Sequence, residues 1–361
     1  MIGQLHYETT SKYNFPLTPK WTSLSHKIME LSLNSMHMVK GRPFQLDNTE
    51  LPEPFLNGEH DKDLESLRGR MASTLLIPLR PIRDGTTITG IDVSTIRVGT
   101  TDLGAVYAVR GAIVTRTNEG YRYLRLGPFT FHVTRRSLNG ASREMNEALD
   151  LSLSALPQTE QQTRLCSLIE RWLQLCVSHL MRECIILWDG SLTAGVPGSP
   201  AAGVSEILKA ARRNSNIIMG FSKDTTLRFL DWRITDLVDG YRPPCLFEID
   251  SLPLSSSAST RPLGRIYVAR LASGGCAFRL DIDRSISREE SITAVERLLG
   301  NELLYQGYPE TLRLAHIYST FTATEVIGIQ RFMIKRYGLR LVSRVNMHRT
   351  LFGPYGVRLG D

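Results

Sequence analysis

The apolar positions in the first half of the chain gather into three β-forming runs. In Thr86-Thr87-Ile88-Thr89-Gly90-Ile91-Asp92-Val93, Ile88, Ile91 and Val93 favour an extended backbone, and Gly90 admits the close approach of another backbone or a ligand. GAVYAVRGAIV (104–114) and YRYLRLGPFTFHV (121–133) read as two more strands, with turn residues between them at Asn118-Glu119-Gly120. The pattern predicts a three-strand meander whose first strand carries one acidic residue, Asp92. A carboxylate in mid-strand is costly to bury unless it is paired or bound to a cation, although a structural Asp at a strand end is the plainer alternative.

A second strand repeats the device. The unbroken apolar run Cys184-Ile185-Ile186-Leu187-Trp188 follows Glu183 and closes on Asp189-Gly190-Ser191-Leu192. Such a run predicts a strand covered on both faces, with Asp189 at its carboxyl end, where open α/β sheets place their sites. Between the two acidic strands, Glu160 to Arg182 reads as a long helix. Leu165, Leu168, Ile169, Trp172, Leu175, Cys176 and Leu180 form its apolar stripe, and Glu170 interrupts the stripe at its edge. The order strand with Asp, two strands, helix with Glu, strand with Asp is how an RNase H-like nuclease gathers carboxylates around divalent ions.

The remaining elements are simpler to place. Residues 1–85 read as an attached arm of helices and loops, with helical candidates WTSLSHKIMELSLNSMHM and DKDLESLRGRMASTLL on either side of a Pro-containing stretch. The core domain then runs from about Thr86 to 361. SLTAGVPGSPAAG is read as a flexible crossing, SEILKAARR as a helix, SNIIMGFS as a strand and TTLRFLDWRITDLVDG as a helix. GRIYVARLA and CAFRLDID predict a hairpin, and REESITAVERLLGNELLY, PETLRLAHIYSTF and TATEVIGIQRFMIKRYG predict the closing helices. This gives an α/β or mixed α+β architecture: a mixed sheet with flanking helices, a helical N-terminal arm and C-terminal helices.

Composition narrows the class of partner. The 361 residues are 42% hydrophobic and 22% charged, ordinary for a chain with a large core, and their formal charge of +7 favours an acidic partner, nucleic acid first. From Arg331 onward the charge is concentrated: Arg331, Lys335, Arg336, Arg340, Arg344, Arg349 and Arg358 face only Asp361, as a solvated basic face or as part of a DNA channel. The five cysteines show no paired metal spacing and read as buried free thiols in a reducing compartment. The N-terminus is not a signal peptide and no apolar run is long enough for a membrane, so the expectation is a cytoplasmic protein.

Two polar groups remain after the strands and helices are assigned. Lys223 follows the strand ending in GFS, positioned to meet a phosphate or simply to be solvated. His316 lies two turns into a helix that Pro309 would open in GYPETLRLAH, where a lone histidine is more often structural than catalytic.

Taken in order, GIDVS, WDGSL, GFSKD and GYPETLRLAH resemble the NurA nuclease family, DNA-end-processing nucleases that work with the HerA translocase. The resemblance spans the chain from about Gly90 to the C-terminal helices. It implies an RNase H-like core, a ring-shaped homodimer, Mn²⁺-dependent cleavage of DNA (5′-3′ exonuclease and single-strand endonuclease activity) and a role in end resection for recombinational repair with a HerA-type hexameric ATPase. By matching motifs, Asp92 and Asp189 would be metal ligands, and Tyr308 and His316 would line the site. The glutamate is carried over less directly: Glu170 fits the expected helix, with Glu160, Glu147 and Glu183 as alternatives. Glu183 would lie roughly 20 Å from Asp189's end of the strand at about 3.3 Å per residue. Lys223, Arg331, Lys335 and Arg336 are the candidate DNA contacts.

Carboxylates suit Mg²⁺ or Mn²⁺, and a neutral imidazole shifts the preference toward Mn²⁺. Tyr308 would hydrogen-bond a phosphate, stack on a base or pack in the core. Two other readings compete. GIDVSTIRVGTTD resembles the first phosphate loop of sugar kinases and actin-like ATPases, although Val93-Ser94-Thr95 stand where that family needs glycines. A catalytically inactive DNA-binding clamp subunit is the other. The sequence holds no G-x-x-x-x-G-K-[ST] segment, so a duplex-opening motor would have to be a separate protein.

Overall fold

The computed structural model describes residues 7–9, 19–46, 75–133, 161–194, 201–223, 225, 227–229, 232–238, 240–249 and 261–342. The helix expected around 61–74, Glu147, Glu160, Arg344, Arg349, Arg358 and the loop 251–260 lie outside them.

One twelve-stranded mixed sheet organises the molecule. In chain order its strands are β1 (Tyr7–Thr9), β2 (Pro43–Leu46), β3 (Leu76–Pro78), β4 (Thr87–Thr100), β5 (Ala105–Thr117), β6 (Gly120–Val133), β7 (Cys184–Asp189), β8 (Ile217–Ser222), β9 (Cys245–Glu248), β10 (Gly264–Arg270), β11 (Ala277–Asp283) and β12 (Arg340–Leu341). The main path across the sheet runs β1-β6-β5-β4-β7-β8-β11-β10-β9-β3, with β2 pairing β4 and β12 beside it. The expected meander is β4-β5-β6, and the expected hairpin is β10-β11. Strands β4, β7 and β8 are parallel to one another, joined by helical crossovers. Three short strands from the first 85 residues join this sheet, at its ends and along the far half of β4.

Helices cover both faces, which explains why β5 and β7 read as nearly continuous apolar runs. Helices α1 (Pro19–Met36), α2 (Gln161–Leu180) and α3 (Ala201–Arg213) pack on one face, where Ile28, Leu168, Ile169, Leu173, Val204 and Ile207 meet Ile91, Val93 and Trp188. Helices α4 (Arg288–Asn301) and α5 (Glu310–Ser319) cover the other, where Val295, Leu298 and Leu312 meet Ile88, Ile185 and Leu187. Helix α6 (Ala323–Tyr337) sits over the far half of β4, with Val326 and Met333 against Val98 and Val106. Both α4 and α6 begin with capping boxes, Ser287/Glu290 and Thr322/Glu325. Pro309 stands one residue before α5, in the extended backbone of its cap.

The segment TTLRFLDWRITDLVDG is not the expected helix. Arg228–Phe229 pairs with Trp232–Arg233, and a 3₁₀ turn follows at Ile234–Val238. Leu227 and Phe229 alternate as strand positions do, and Ile234, Leu237 and Val238 bury themselves against Phe247, Ile266 and Val268, so tertiary packing overrides a helical apolar count.

Two glycines allow backbones to approach where the elements converge. At Gly90, a Cβ would stand 3.0 Å from both the Cγ2 and the carbonyl oxygen of Thr311, so α5 lies directly on β4. At Gly220 a Cβ would overlap the Gly190 carbonyl oxygen, so the bend after Asp189 rests on β8. Gly220→Ala is expected to cost about 1–3 kcal/mol through this overlap. Gly328→Ala, in α6 with nothing within 4 Å of its Cβ position, is expected instead to stabilise by about 0.5–1 kcal/mol. Urea-unfolding midpoints of the two variants check both signs.

Candidate active site

The register between β4 and β7 sets the site. Thr87 pairs with Cys184 in parallel, and the pairing continues in step to Ile91 opposite Trp188. One further step along both strands reaches Asp92 and Asp189. Alternation then decides the face. Ile91, Val93 and Trp188 belong to the core under α2, whereas Gly90 and Ser94 touch Thr311 and Ser319 of α5. Asp92 and Asp189 therefore stand side by side on the α5 face, and His316 of α5 completes the group. One ligand atom from each of Asp92, Asp189 and His316 lies within 4.8 Å of the others.

Two carboxylates this close repel each other, and the structure surrounds them with donors and cations. Asp92 is 8% exposed; it accepts a short hydrogen bond from Ser319 Oγ and faces His316 Nδ1 at 3.4 Å. Burial raises its pKa, but the hydrogen bonds from His316 and Ser319 and the nearby positive charges outweigh burial and leave it below the ordinary carboxylate value. His316 shifts upward, chiefly because Asp92 accepts its hydrogen bond. With its Nδ1 turned to Asp92, the His316 side chain remains about half exposed. Lys223 Nζ lies 2.6 Å from Asp189 Oδ2, so this lysine, expected to meet phosphate or solvent, also neutralises the second aspartate.

Tyr308 is both a core aromatic and a wall of the site. Its ring packs edge-on against Phe221 at 6.1 Å and tilted against Phe278 at 5.4 Å, with Lys223 Nζ 5.3 Å from its centroid. Its hydroxyl is buried and, among the described residues, makes no close hydrogen bond, with the Asp189 carboxylate its polar neighbour. Burial, with the Asp189 and Asp92 charges behind it, pushes its pKa well above the ordinary phenol value.

Glu170 lies outside the three-residue group. It sits on α2, beneath the opposite face of the sheet, where its Oε1 accepts from Gln174 Nε2 at 3.0 Å. It is nevertheless near enough to sense the site: burial, then repulsion from Asp92 and Asp189, raises its pKa to about 7 against the lowering pull of Arg171. Arg331, Lys335 and Arg336 are exposed on α6, beside the far half of β4 rather than within the group. Glu183 immediately precedes β7, at the end opposite Asp189, in a left-handed conformation with φ 52°.

The sequence reading missed three contributors. Ser319, three residues after His316 on the same helical face, is visible in hindsight from that spacing. Asp281 and Arg279 gave no such signal. Asp281 is fully buried on β11, where Arg279 donates to both its oxygens at 2.7 Å. Asp281 Oδ2 also accepts from Leu192 N at 3.0 Å, and Arg279 reaches Thr193 Oγ1 at 3.1 Å, so this buried ion pair fastens the bend that follows Asp189.

Two carboxylates and an imidazole, packed closely and partly buried, form a donor set suited to Mn²⁺ or Mg²⁺. A phosphate loop after Asp92 is not present, because β4 runs unbroken through Val93, Ser94 and Thr95 to Thr100 and Ser94 is bonded to Ser319 at 2.9 Å. All five cysteines are free. Among the described residues no helix is long and apolar enough to cross a membrane.

The NurA domain profile matches residues 86–319. No curated protein matches the chain. Among solved structures, the NurA nuclease from Sulfolobus solfataricus is similar at 15% identity over 76% of this chain and 93% of that one, with a TM-score of 0.49. A NurA structure with manganese is similar at 12% identity over 76% and 95%, TM-score 0.40. Endonuclease V from Bacillus subtilis is similar at 13% identity over 77% and 96%, TM-score 0.36. Because the matched segment spans β4 through α5 and so contains Asp92, Asp189 and His316, the chain belongs to the NurA family.

Proposed function

We propose that the chain is a divalent-cation-dependent deoxyribonuclease that hydrolyses phosphodiester bonds at the Asp92–Asp189–His316 group. The observation that carries this reading is the β4–β7 register, which holds two carboxylates side by side with an imidazole above them. Asp92, Asp189 and His316 would hold Mn²⁺, or Mg²⁺ in its place, with Glu170 as an outer carboxylate. When bound, the ion supplies an activated water and charge stabilisation at the phosphate.

The protein's own residues divide the remaining work. Ser319 fixes the orientation of Asp92. Lys223 presents a positive charge to the incoming phosphate from beside Asp189. His316, its Nδ1 turned to Asp92, would complete the donor set for the ion or, in place of that, hand a proton to the departing 3′ oxygen. Tyr308 would turn its buried hydroxyl from Asp189 to a phosphate oxygen as a donor. Arg331, Lys335 and Arg336 line the path of the DNA backbone along α6. We extend the proposal to a homodimer and a role in end resection, which the likeness to NurA nucleases supports.

Asp92→Ala and Asp189→Ala are each expected to abolish cleavage of end-labelled DNA in Mn²⁺ without unfolding the protein, since each removes a ligand while relieving carboxylate repulsion. Wild-type rates in either folded variant would overturn the assignment.

Glu170 gives the ion-free protein a characteristic pH dependence. Its folded pKa of about 7 lies above the ordinary 4.5, so the folded state keeps a proton that the unfolded chain releases, and stability falls as pH rises through that window. His316 slopes the same way: raised in the fold, it contributes below its ordinary 6.5, and the contribution fades as pH passes its folded value. Asp92, lowered from 3.8, adds stability that is lost only in stronger acid. The melting temperature without divalent ions is therefore expected to fall between pH 5 and 8. Glu170→Gln should flatten part of that fall and melt above wild type at pH 8, while weakening Mn²⁺ binding by about 10–100-fold. Thermal melts in EDTA and Mn²⁺ titrations check both halves.

A HerA-type ATPase is the proposed motor. Opening duplex costs about 1.4 kcal/mol per base-pair step in stacking alone, and the sequence has no P-loop of its own. Resection of long blunt duplex is expected to require the cognate ATPase and ATP, and processive resection by this chain alone would refute the dependence.

A further inference from the structure

Beside the Asp92–Asp189–His316 group lies a small hairpin whose first strand the proposed chemistry does not use. Leu304–Tyr305 pairs with Tyr308–Pro309, placing Tyr305 directly opposite Tyr308. The hairpin is held at both ends: Cys276 N donates to Gln306 O at 3.0 Å, and Glu310 N donates to Leu303 O at 2.8 Å. Its turn is fixed by Gln306 at φ 50° and Gly307 at φ 84°.

The two tyrosines have opposite environments. Tyr308 is buried against Phe221 and Phe278, whereas Tyr305 is 55% exposed and Leu303 beside it is 61% exposed. A large apolar ring left in water on a rigid hairpin is costly to maintain. One face of the Tyr305 ring is nevertheless supported: the Arg313 guanidinium stands 4.8 Å from its centroid. Arg313 is itself held in place by a two-pronged contact with Glu310, 2.7 Å on each side. Arg313 precedes His316 by three residues and so lies on the same helical face, one turn away. Directly opposed strand residues have Cβ atoms about 5 Å apart, which puts Tyr305 next to the Tyr308 wall of the site.

Resting on the nuclease reading, we propose that Tyr305, backed by Arg313 and flanked by Leu303, is a stacking platform for an unpaired nucleobase next to the phosphate being cleaved. The ring's free face matches the flat, apolar face of a base, and a cation behind it strengthens its contact with an electron-rich partner. Only a base out of its pair exposes that face, so the platform selects single-stranded or frayed DNA ends. It does not depend on base identity, since every base has a π-face.

The test uses the full-length protein and single-stranded oligonucleotides. Binding is measured in EDTA through the fluorescence of 2-aminopurine at the nucleotide flanking the cut, and cleavage is measured in Mn²⁺. Tyr305→Ala is expected to weaken binding and raise KM by about 5- to 150-fold, to abolish the quenching of 2-aminopurine and to leave kcat near wild type. Tyr305→Trp should retain both. A substrate lacking the base at that position should bring wild type down to the level of Tyr305→Ala, and this arm needs no variant to fold. Equal behaviour of wild type and Tyr305→Ala on the intact strand overturns the proposal. So does an equal loss by Tyr305→Ala on intact and base-free strands, which would mean that the ring contacts backbone. If wild type neither binds nor cuts DNA, the nuclease reading fails first and takes the platform with it.

Discussion

The rest of the structure depends on the parallel pairing of β4 with β7. That register sets two carboxylates side by side at the end of a ladder, on the face where α5 lies. Two such charges in a partly buried setting repel, and the fold tolerates them only by bringing compensation from several directions. Ser319 and His316 come from α5 and Lys223 from the end of β8. The cluster is thus neutralised internally by flexible or titratable groups rather than by a dedicated buried arginine. A site arranged in this way is stable enough to fold yet retains an affinity for a divalent cation.

Fixing those groups in place is a task for residues that touch no substrate. Helix α5 is pressed onto β4 because Gly90 has no side chain to hold it off, and it is tied at its start by Thr311 donating to the buried carboxylate of Glu302. Glu302 also accepts from Tyr121 of β6 at 2.5 Å, and burial raises its pKa. At the other end of α5, Arg110 of β5 donates to Thr320 O at 2.9 Å, pairs with Glu325 at 2.8 Å and lies over Phe321. The bend after Asp189 is fastened in turn by Arg279 and Asp281. A buried ion pair is weak evidence for stability, since desolvation offsets much of its attraction. Its contacts with Leu192 N and Thr193 Oγ1 make it a device for specifying one loop conformation, and that loop continues directly from Asp189.

Burial and charge conflict at Glu170. It is packed under the sheet within range of two other carboxylates, which is why it holds a proton near neutral pH in the absence of a cation. The strain is consistent with a group whose charge becomes useful only when a cation enters the neighbouring site.

Local chemistry was enough to fix much of this in advance. β-forming runs and turn residues marked β4 to β6, and the apolar stripe marked α2, because each signal lies within one element. Asp92 and Asp189 were legible for the same reason: an acid in or ending an apolar strand is anomalous without knowledge of any neighbour. The sequence could not say that one register places them in step, nor which face they share, because pairing and alternation acquire a side only when helices cover the sheet. TTLRFLDWRITDLVDG shows the limit from the other direction, its apolar count satisfied by short strands and a 3₁₀ turn once Phe247 and Ile266 are there to pack against. Glu170 was picked from its helix, yet its distance from the three-residue group depends on which face α2 covers. Ser319, Asp281, Arg279 and the Tyr305–Arg313 pair stayed silent because serine, aspartate, arginine and tyrosine are unremarkable along a chain. Ser319 meets Asp92 227 residues away and Asp281 meets Leu192 89 residues away, and even the nearer Tyr305–Arg313 contact needs the hairpin to fold back beside α5.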